Sequence, residues 1–479
     1  MNAGSVDGST TEPATTALVT YTGGDWVAAT DIFTAAVGAD MTEAVVGRFA
    51  SLYVDGDTTP TANQYLVARI TAVNAGTRAI TLSTTARALL GTEVADGTGT
   101  RSLRIGGAWA GMAGASAFPF TLTGHANLTG TAGDAACVNL KNDQTYSTSV
   151  EVLSAGHVSI RGYASTYGDQ GRATIDGSTN AIILLRHSGS AGNFRMVTDL
   201  ILTSSATTGT NAAFSNGLPL IAERVTCKGA RGAGFLVTGG YAVTLLECEA
   251  VDCNKANSAS SGGFTTTGNT TYVRCVSHNN AGSNNNGWVL GGSTSELINV
   301  LEDCVADTNG LHGVLQLTTA NDVFSQNFVI RGGVYYGNGT DGVRIAAPSS
   351  TGRIRAVIEN AAFEGNTGAG IGLSAASTIT FVRVVNCGFY SNGSETTNLS
   401  SDLVTGSVSF ASSSVTDAAN GNFVVTLSTA KWAGKGAYVQ DASTYSSTTT
   451  AKPDIGLQHE ETASGGGYKH PGMTGGLNA

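Results

Sequence analysis

The amino-acid sequence predicts an all-β chain, most of which folds as a right-handed single-stranded parallel β-helix between a small N-terminal β domain and a Gly-rich C-terminal tail. Two observations lead to this fold class. The 479 residues include 64 Gly, and only 13% of them are charged, against roughly 25% in ordinary soluble domains. In addition, a repeat with steps of 29, 29, 28 and 26 residues runs through the second half of the chain.

The composition favours β structure over helices. Gly, Ser, Thr and Asn are abundant, and these residues prefer turns and caps to helix interiors. No stretch has a sustained apolar stripe with the 3.6-residue period of an amphipathic helix. The chain is therefore expected to consist of strands and turns.

Two columns of residues mark the repeat. The first contains small or sulfur-bearing residues: Cys248, Cys275, Cys304, Gly333, Ala361 and Cys387. The second lies five residues later and contains asparagines: Asn280, Asn309, Asn338, Asn366 and Asn392. A fixed period of this kind is typical of a solenoid, in which each repeat is one structural unit.

Each repeat is interpreted as one coil of three short strands. Successive coils would stack about 4.8 Å apart through parallel backbone hydrogen bonds. Asparagines in neighbouring coils would then bond to one another as a ladder, and we expect them to adopt the left-handed backbone of a sharp corner. The handedness of the helix follows from the strong right-handed preference of parallel crossovers.

The strand after each corner has an apolar column that is expected to point inward. Its members are Phe235, Phe264, Trp288, Val314, Val343 and Ile371. Trp288 could instead stack on a sugar, but its place in this column favours the core. The cysteines are interpreted in the same way, as small buried residues with free thiols, because in-register side chains run parallel and disfavour the dihedral angle of a disulfide.

The parts that flank the repeat define three predicted domains. Residues 1–125 form an N-terminal β domain with a helix-capping segment, residues 126–410 form the β-helix, and residues 411–479 form a closing β segment and a tail. Residues 66–73 and 78–83 are predicted to pair as a hairpin. The apolar segment 104–120 is expected to cover the first coil, and the tail from residue 464 to become ordered only against a partner.

Charge and targeting signals limit the function. The net charge of −10 argues against nucleic-acid binding, which needs a basic surface. Met1 to Leu18 lack the features of a secretory signal, and no run approaches eighteen apolar residues. We expect a soluble protein without membrane insertion, which leaves the cytosol by a route that reads no N-terminal signal.

We expect neither a cofactor nor a metal site. The cysteine spacing fits no zinc pattern. The acidic residues Glu247, Glu249, Glu302 and Asp303 are interpreted as solvated, with a calcium site as the alternative. The segment GNGTDGVRI from Gly337 resembles a calcium-binding nonapeptide but occurs once, so it is interpreted as a corner.

One outward column contains the candidate functional residues. It lies three residues after the cysteine column and consists of His278, Asp307, Tyr336, Glu364 and Tyr390. Asp307 and Glu364 are two coils apart, roughly 9 to 10 Å, near the carboxyl separation of inverting glycosidases. They are the catalytic candidates, and the histidine and the two tyrosines are the candidates for glycan binding. The alternative is a solvated face that keeps the helix soluble.

Several segments carry a resemblance to a known superfamily. SIRGYASTYGDQGRATIDG (Ser159 to Gly177), NGNFVVTL from Asn420 and KPDIGLQH (Lys452 to His459) resemble the entry and closing segments of right-handed β-helix proteins of the pectate-lyase-like superfamily. The resemblance is to the members on the surface of tailed-phage virions, and it covers roughly residues 105 to 460. The acidic calcium ligands and arginine base of pectate lyases find no match, so a lyase activity is not carried over.

The resemblance implies two alternative functions. The first is a structural protein of a phage virion surface, a capsid-decorating or tail-attached spike that is homotrimeric, assembles in the host cytoplasm, binds other virion proteins and contacts host-surface polysaccharide. The second is a tailspike-type depolymerase that cleaves such polysaccharide. A secreted adhesin is a third alternative, against which the lack of a signal counts. The same fold serves all of these functions, so the fold alone does not separate them.

Overall fold

The computed structural model describes residues 19–46, 49–55, 65–82, 90–91, 95–105 and 458–459, and residues 127–425 apart from short gaps. All regular secondary structure in these residues is β-strand, as the composition predicted. The chain forms two compact units, one made of 1–206 with 218–220 and the other of 207–217 with 221–479. The boundaries of the three predicted domains stay a prediction.

The first unit begins with an antiparallel sheet. Its strands are β1 (Val19–Val27), β2 (Ile32–Thr34), β3 (Phe49–Val54), β4 (Tyr65–Asn74), β5 (Ala79–Leu82), β6 (Leu90–Gly91) and β7 (Gly97–Ile105), in the order β3-β7-β1-β2-β5-β4-β6. Trp26, Phe33 and Leu103 are buried within it. The predicted hairpin is confirmed, because β4 and β5 pair antiparallel with Asn74 opposite Ala79.

The same unit continues with parallel strands, which are the first coils. They are Asn127–Leu128, Ala136–Lys141, Thr145–Ser147, Val152–Ser154, Val158–Tyr163, Ala173–Asp176, Leu185–His187 and Arg195–Thr203. Strand 158–163 pairs in parallel with 136–141, and strand 185–187 pairs in parallel with 152–154. The capping segment predicted at 104–120 lies almost entirely outside the described residues.

The second unit is a parallel β-solenoid whose coils have three faces, A, B and C, in chain order. It starts with strands Phe214–Asn216, Leu220–Lys228 and Phe235–Val237. The later strands of face A are Val243–Leu246, Thr270–Val273, Leu297–Glu302, Ser325–Arg331, Arg353–Glu359, Thr380–Val385 and Val404–Thr405. Those of face B are Glu249–Val251, Val276–His278, Val305–Asp307, Val334–Tyr336, Ala362–Glu364, Gly388–Tyr390 and Val408–Ser409. Those of face C are Gly262–Thr266, Asn286–Leu290, Val314–Gln316, Val343–Ile345, Ala369–Leu373 and Ser394–Thr397.

A small sheet follows the last coil. Strand Val415–Asp417 pairs antiparallel with Asn422–Val425, which pairs in parallel with Gln458–His459. These strands belong to the predicted closing segments. The Gly-rich tail from residue 464 lies outside the described residues.

The predicted asparagine ladder is confirmed. The side-chain amides of Asn280, Asn309, Asn338 and Asn366 each donate from Nδ2 to Oδ1 of the next ladder asparagine, at 2.7, 3.0, 2.9 and 2.7 Å. The backbone N–H groups of Asn309, Asn338 and Asn366 donate to the same acceptors at 3.1–3.2 Å. All four side chains are at most 1% exposed, so the ladder lies inside the protein.

The predicted backbone of the ladder asparagines was wrong. The left-handed residue at this corner is the one immediately before each ladder position: Asp252, Asn279, Thr308, Gly337, Gly365 and Ser391, with φ between 49° and 64°. A ladder asparagine must aim its amide along the stack, and the turn itself is made by the residue before it. The residue before each ladder asparagine thus makes the turn, and the asparagine itself makes the hydrogen bonds.

Cys253 occupies the first position of this column, which the sequence analysis had not assigned. Its backbone N–H donates to Oδ1 of Asn280 at 2.7 Å, as the ladder asparagines do to theirs. Its thiol lies 3.4 Å from the carbonyl oxygen of Cys227. Cys253 stands five residues after Cys248, so the spacing alone could have placed it in the ladder.

A glycine on face C lies opposite each ladder position. A Cβ on Gly234, Gly263, Gly287, Gly313 or Gly342 would come within 2.9–3.1 Å of the ladder side chain. Such a distance is closer than nearly all real Cβ contacts. These glycines are therefore required for the close approach of the ladder amides to face C.

The core of the solenoid contains the predicted apolar columns. Phe235, Phe264 and Trp288 stack with ring centroids 4.8 and 5.0 Å apart, and Trp288 is fully buried. A second stack on face B contains Tyr335, Phe363 and Phe389 with centroids 5.2 and 5.4 Å apart. Trp288 is thus a core residue, as its column predicted.

The cysteine column is confirmed as well. The parallel pairing of the face-B strands places Cys248, Cys275 and Cys304 in register on successive coils, and Cys387 ends the column. These four residues, together with Cys227 and Cys253, are buried free thiols. Burial raises the pKa values of the Cys248 and Cys275 thiols well above their usual range, so both stay protonated and unreactive.

No helix capable of crossing a membrane occurs in the part of the chain that the structure describes.

We expect the substitution Asn338→Ala to lower the free energy of unfolding by about 1–3 kcal/mol, because Asn309 N–H and Nδ2 lose their acceptor inside the protein. Denaturant unfolding measures the change. Asn327→Ala, on the outer surface of face A, is the matched control and should change stability by only a few tenths of that amount. Equal stability of Asn338→Ala and wild type would contradict the role of the ladder.

We expect Cys253→Asn to stabilise the protein, because a new Nδ2 group would donate to Asn280 Oδ1 and add about 0.5–1.5 kcal/mol. Cys253→Ala is the control, since it removes the thiol without extending the ladder. Thermal melting compares the two variants with wild type. A melting temperature of Cys253→Asn below that of Cys253→Ala would mean that the position cannot accept an amide.

Candidate functional site

The candidate functional residues form one column on face B, as predicted. The register places His278 opposite Asp307, Asp307 opposite Tyr336, Tyr336 opposite Glu364, and Glu364 opposite Tyr390. Their neighbours in each strand, such as Tyr335 and Phe363, point into the core, so alternation along a strand turns the column outward. Asp307 and Glu364 are separated by two coil steps, about 9.6 Å.

The interpretation of this column as a solvated face was wrong for the two carboxylates. Asp307 is 8% exposed and Glu364 is 0% exposed. Tyr336 lies on the coil between them, and Tyr390 lies on the other side of Glu364. The outward direction of these side chains was predicted correctly from the sequence pattern, but their burial was not.

Burial changes the electrostatics of the column. It raises the pKa of Asp307, and this effect is opposed by a hydrogen bond from Thr308 Oγ1 at 2.6 Å and by His278. It also raises the pKa of Tyr336, where the nearby carboxylates of Glu364 and Asp307 act in the same direction. The column thus concentrates acidic groups in a partly desolvated surface layer.

His278 is held by its neighbours. Its Nε2 lies 2.9 Å from Glu249 Oε1, and Glu249 Oε2 accepts a hydrogen bond from Thr226 Oγ1 at 2.9 Å. Asn279 Nδ2 lies 3.1 Å from His278 Nδ1. These contacts place the proton of a neutral ring on Nε2. The imidazole is therefore oriented by two side chains, Glu249 and Asn279, and Thr226 in turn holds Glu249.

A second polar group lies at the bend between faces A and B. The residue before each member of the cysteine column has a left-handed backbone: Arg224, Glu247, Arg274, Asp303, Asn360 and Asn386, with φ between 50° and 57°, and the glycines Gly332 and Gly406. From Arg224 to Asp303 the charges alternate from coil to coil. Non-Gly residues in this conformation are uncommon and cost free energy, apart from Asn and Asp.

The acidic members of this bend are less solvated than the sequence analysis assumed. Glu247 is 8% exposed and accepts hydrogen bonds from Arg274 Nη2 at 2.8 Å and Nε at 3.1 Å. Burial, together with the charge of Glu302, raises the pKa of Asp303 to about 7, while Arg274 opposes the shift. Solvation was expected for Glu247, Glu249, Glu302 and Asp303. Of these four residues, Glu302 is exposed.

A third group at the corner between faces B and C was missed by the sequence analysis. Thr340 Oγ1 lies 2.7 Å from His312 Nδ1, and the backbone N–H of Asp341 donates to the same nitrogen at 3.3 Å. The Asp341 carboxylate accepts hydrogen bonds from Arg344 at 3.2 Å and from the Ala369 backbone at 2.7 Å. Burial lowers the pKa of His312 to about 4, against the effect of Asp341. The segment GNGTDGVRI is therefore a corner, as interpreted from the sequence, and the His312 ring and the Asp341 carboxylate stabilise it.

Within the described residues, no group of three or more His, Cys, Asp or Glu side chains is arranged to hold a metal ion. The Asp341 carboxylate, which belongs to the segment that resembles a calcium-binding repeat, is bound to Arg344 and to a backbone N–H instead.

No model of a protein family matches the chain, and no curated protein matches it. What is established is therefore the architecture, a parallel β-solenoid with a small antiparallel sheet in its N-terminal part. The link to the pectate-lyase-like superfamily remains a resemblance.

We expect Asp303→Asn to stabilise the protein at pH 8. An unfolded aspartate has a pKa of about 3.9, so the raised folded value means that stability falls as the pH rises from about 4 through 7. Asparagine already occupies the equivalent bend at Asn360 and Asn386. Melting temperatures between pH 4 and pH 8 measure the effect.

The control is Asp252→Asn, the same substitution at a left-handed residue of the other bend. Asp252 forms a 2.8 Å ion pair with Lys255 at the surface, where both side chains are more than a third exposed. The substitution Asp252→Asn should not reproduce the stabilisation that Asp303→Asn gives at pH 8. An unchanged pH profile of Asp303→Asn would mean that this carboxyl ionises normally in the folded protein.

Proposed function

We propose that this chain is a structural protein of a tailed-phage virion surface, a capsid-decorating or tail-attached spike, which contacts host-surface polysaccharide through the outward column of face B. The burial of Asp307 and Glu364 is the observation that carries the structural function. In an inverting glycosidase, one carboxyl group must reach the glycosidic oxygen and the other must activate a water molecule. Carboxyl groups that are buried in the folded chain are poorly placed for both steps.

The rigidity of the solenoid supports this function. Successive coils are joined by parallel strands on three faces, and from Asn280 to Asn392 also by the internal amide ladder. Such a stack resists bending because every coil contacts its neighbours along its whole perimeter. A spike or decoration protein needs this property.

The remaining parts of the proposal rest on the resemblance. They are other virion proteins of the capsid or tail as partners, a homotrimer, assembly in the host cytoplasm and a final place on the virion surface. Tyr336, Tyr390 and His278 would supply the sugar contacts, since half-buried aromatic and imidazole side chains combine an apolar body with a polar tip.

The second candidate function is a polysaccharide depolymerase. It is favoured by one observation: Asp307, whose pKa is raised, and Glu364 share a column two coils apart. In that case the groups that bury the two carboxyl side chains would have to move aside for a bound polysaccharide. Glycan cleavage then depends on both acids acting as a unit.

We expect the purified protein to release no oligosaccharide from a panel of bacterial capsular polysaccharides and lipopolysaccharides, measured as new reducing ends. Asp307→Asn and Glu364→Gln should leave melting temperature and virion incorporation close to wild type, because both substitutions keep size and hydrogen-bonding capacity. Cleavage that disappears in either variant, with the fold intact, would establish the depolymerase and refute the structural function.

Glycan contact is tested separately. If a polysaccharide of the panel is retained by the wild-type protein, Tyr336→Ala should weaken retention. Tyr241→Ala is the matched control, because Tyr241 is 40% exposed but lies just before a strand of face A. An equal loss in both variants would mean that the column on face B is not the binding surface.

A further inference from the structure

The outer surface of face B contains a column of small apolar residues that is buried. It consists of four residues on successive coils, each at most 1% exposed: Val276, Val305, Val334 and Ala362. We call these four residues the valine column. They point away from the core because they alternate along their strands with inward residues, such as Tyr335, whose ring stacks on Phe363 inside the solenoid. Their burial therefore does not come from the core.

Face A shows that a flat parallel sheet alone does not bury an outward valine. There, an outward column on three successive coils is partly exposed: Val300, Val329 and Val357. Face B offers less cover from its own strands, since Val334 follows Gly332 and Gly333, which have no side chains that could lean over it. The burial of the valine column thus points to a further segment of the chain that lies across face B.

The C-terminal tail starts near the last strand of face B. Strand Val415–Asp417 begins six residues after Ser409, and its sheet also contains Gln458–His459. The chain after His459 can span roughly 65 Å when extended, whereas the coils of Val276 and Val408 are about 24 Å apart. The compact unit that contains the later coils also contains the chain up to residue 479, while residues 1–206 belong to the other unit. The tail is therefore long enough to cross every coil of the valine column.

The composition of the tail suits a flat apolar surface. Residues 464–479 contain six glycines, and glycine allows a backbone to approach another surface closely. They also contain three larger apolar residues: Tyr468, Met473 and Leu477. Such a segment cannot bury a core of its own, but it can cover apolar surface that another part of the chain provides.

Charge complementarity favours the same segment. Residues 464–479 contain Lys469 and neither Asp nor Glu. Asp307 and Glu364 lie at the next outward positions beside the valine column, and they are 8% and 0% exposed. Withdrawal of a carboxylate from water is costly unless a cation or hydrogen-bond donors stabilise it. A lysine side chain supplies both the charge and the donors.

We propose that the tail, residues 464–479 of the same chain, lies across face B from the last coil towards the earlier ones. Its apolar side chains cover the valine column, and Lys469 lies beside the carboxyl groups of Asp307 and Glu364. Face B is thus the partner against which the tail becomes ordered. The contact uses one chain only, so it leaves the other faces available in an oligomer, and it does not depend on the proposed virion function.

The proposed contact is compatible with glycan binding at the edge of face B. The three candidate residues for that binding are partly exposed in the folded chain: His278, Tyr336 and Tyr390. The tail would then form one side of the surface that a polysaccharide meets.

Thiol labelling of the full chain measures the cover. Val334→Cys places a reporter in the valine column, and Val357→Cys places the matched control on the outer surface of face A. Neither position shares a tryptic peptide with a native cysteine, so mass spectrometry follows each new thiol separately. Val334→Cys should react with a maleimide about tenfold or more slowly than Val357→Cys, because its thiol is reached only when the tail lifts off.

A charge reversal in the tail tests the occupant. Lys469→Glu should raise the labelling rate of Val334→Cys by about tenfold or more, since it would place like charges beside Asp307 and Glu364. Lys452→Glu, the same substitution outside the tail, is the control and should leave the rate unchanged.

A second variant tests the apolar contact without shortening the chain. Replacement of the three larger apolar residues of the tail by Gly should also expose Val334→Cys to the reagent. The labelling rate of Val357→Cys should stay the same in every tail variant, which shows that the solenoid itself is intact.

Three outcomes would overturn the proposal. Fast labelling of Val334→Cys in the chain with an unaltered tail would mean that the valine column is open in solution. Slow labelling in both tail variants would mean that another segment covers it. Protection that is lost on dilution would assign the cover to a second copy of the chain.

Discussion

The solenoid depends on the satisfaction of buried amide groups at one corner. Each ladder asparagine inside the protein must find partners for both its Nδ2 and its Oδ1 atoms, because an unpaired buried polar group costs several times what a paired one contributes. Stacking at the coil spacing supplies those partners from the coils above and below. The ladder in turn requires glycine at the opposite positions on face C, because a Cβ there would come too close to the ladder amides.

The bends impose a second constraint that links structure to surface chemistry. Each coil from Glu247 to Ser391 has one left-handed residue between faces A and B and another before the ladder. At the first of these positions, Glu247 accepts hydrogen bonds from Arg274 on the next coil. The raised pKa of Asp303 arises here, where desolvation of a half-buried carboxyl group beside Gly332 and the charge of Glu302 act together.

Much of the fold could be predicted from the sequence because the repeat places identical residues over one another. The ladder, the cysteine column, Trp288 and the order of the candidate column all followed from spacing. The burial of Asp307 and Glu364 could not, because the burial of an outward side chain depends on the three-dimensional packing around it and not on its place in the repeat. The group around His312 does follow the repeat spacing, since Thr340 and Asp341 lie 28 and 29 residues after it. It was missed because it lies outside the columns that defined the repeat.

Hydrogen exchange of the folded protein tests the central role of the ladder most directly. The backbone N–H groups of Asn309, Asn338 and Asn366, followed by mass spectrometry of the peptides that contain these corners, should be among the slowest to exchange and should exchange together as one cooperative unit. The amides of the first and last coils should exchange earlier. Ladder amides that exchange one by one, or faster than the amides of the surrounding strands, would contradict the account.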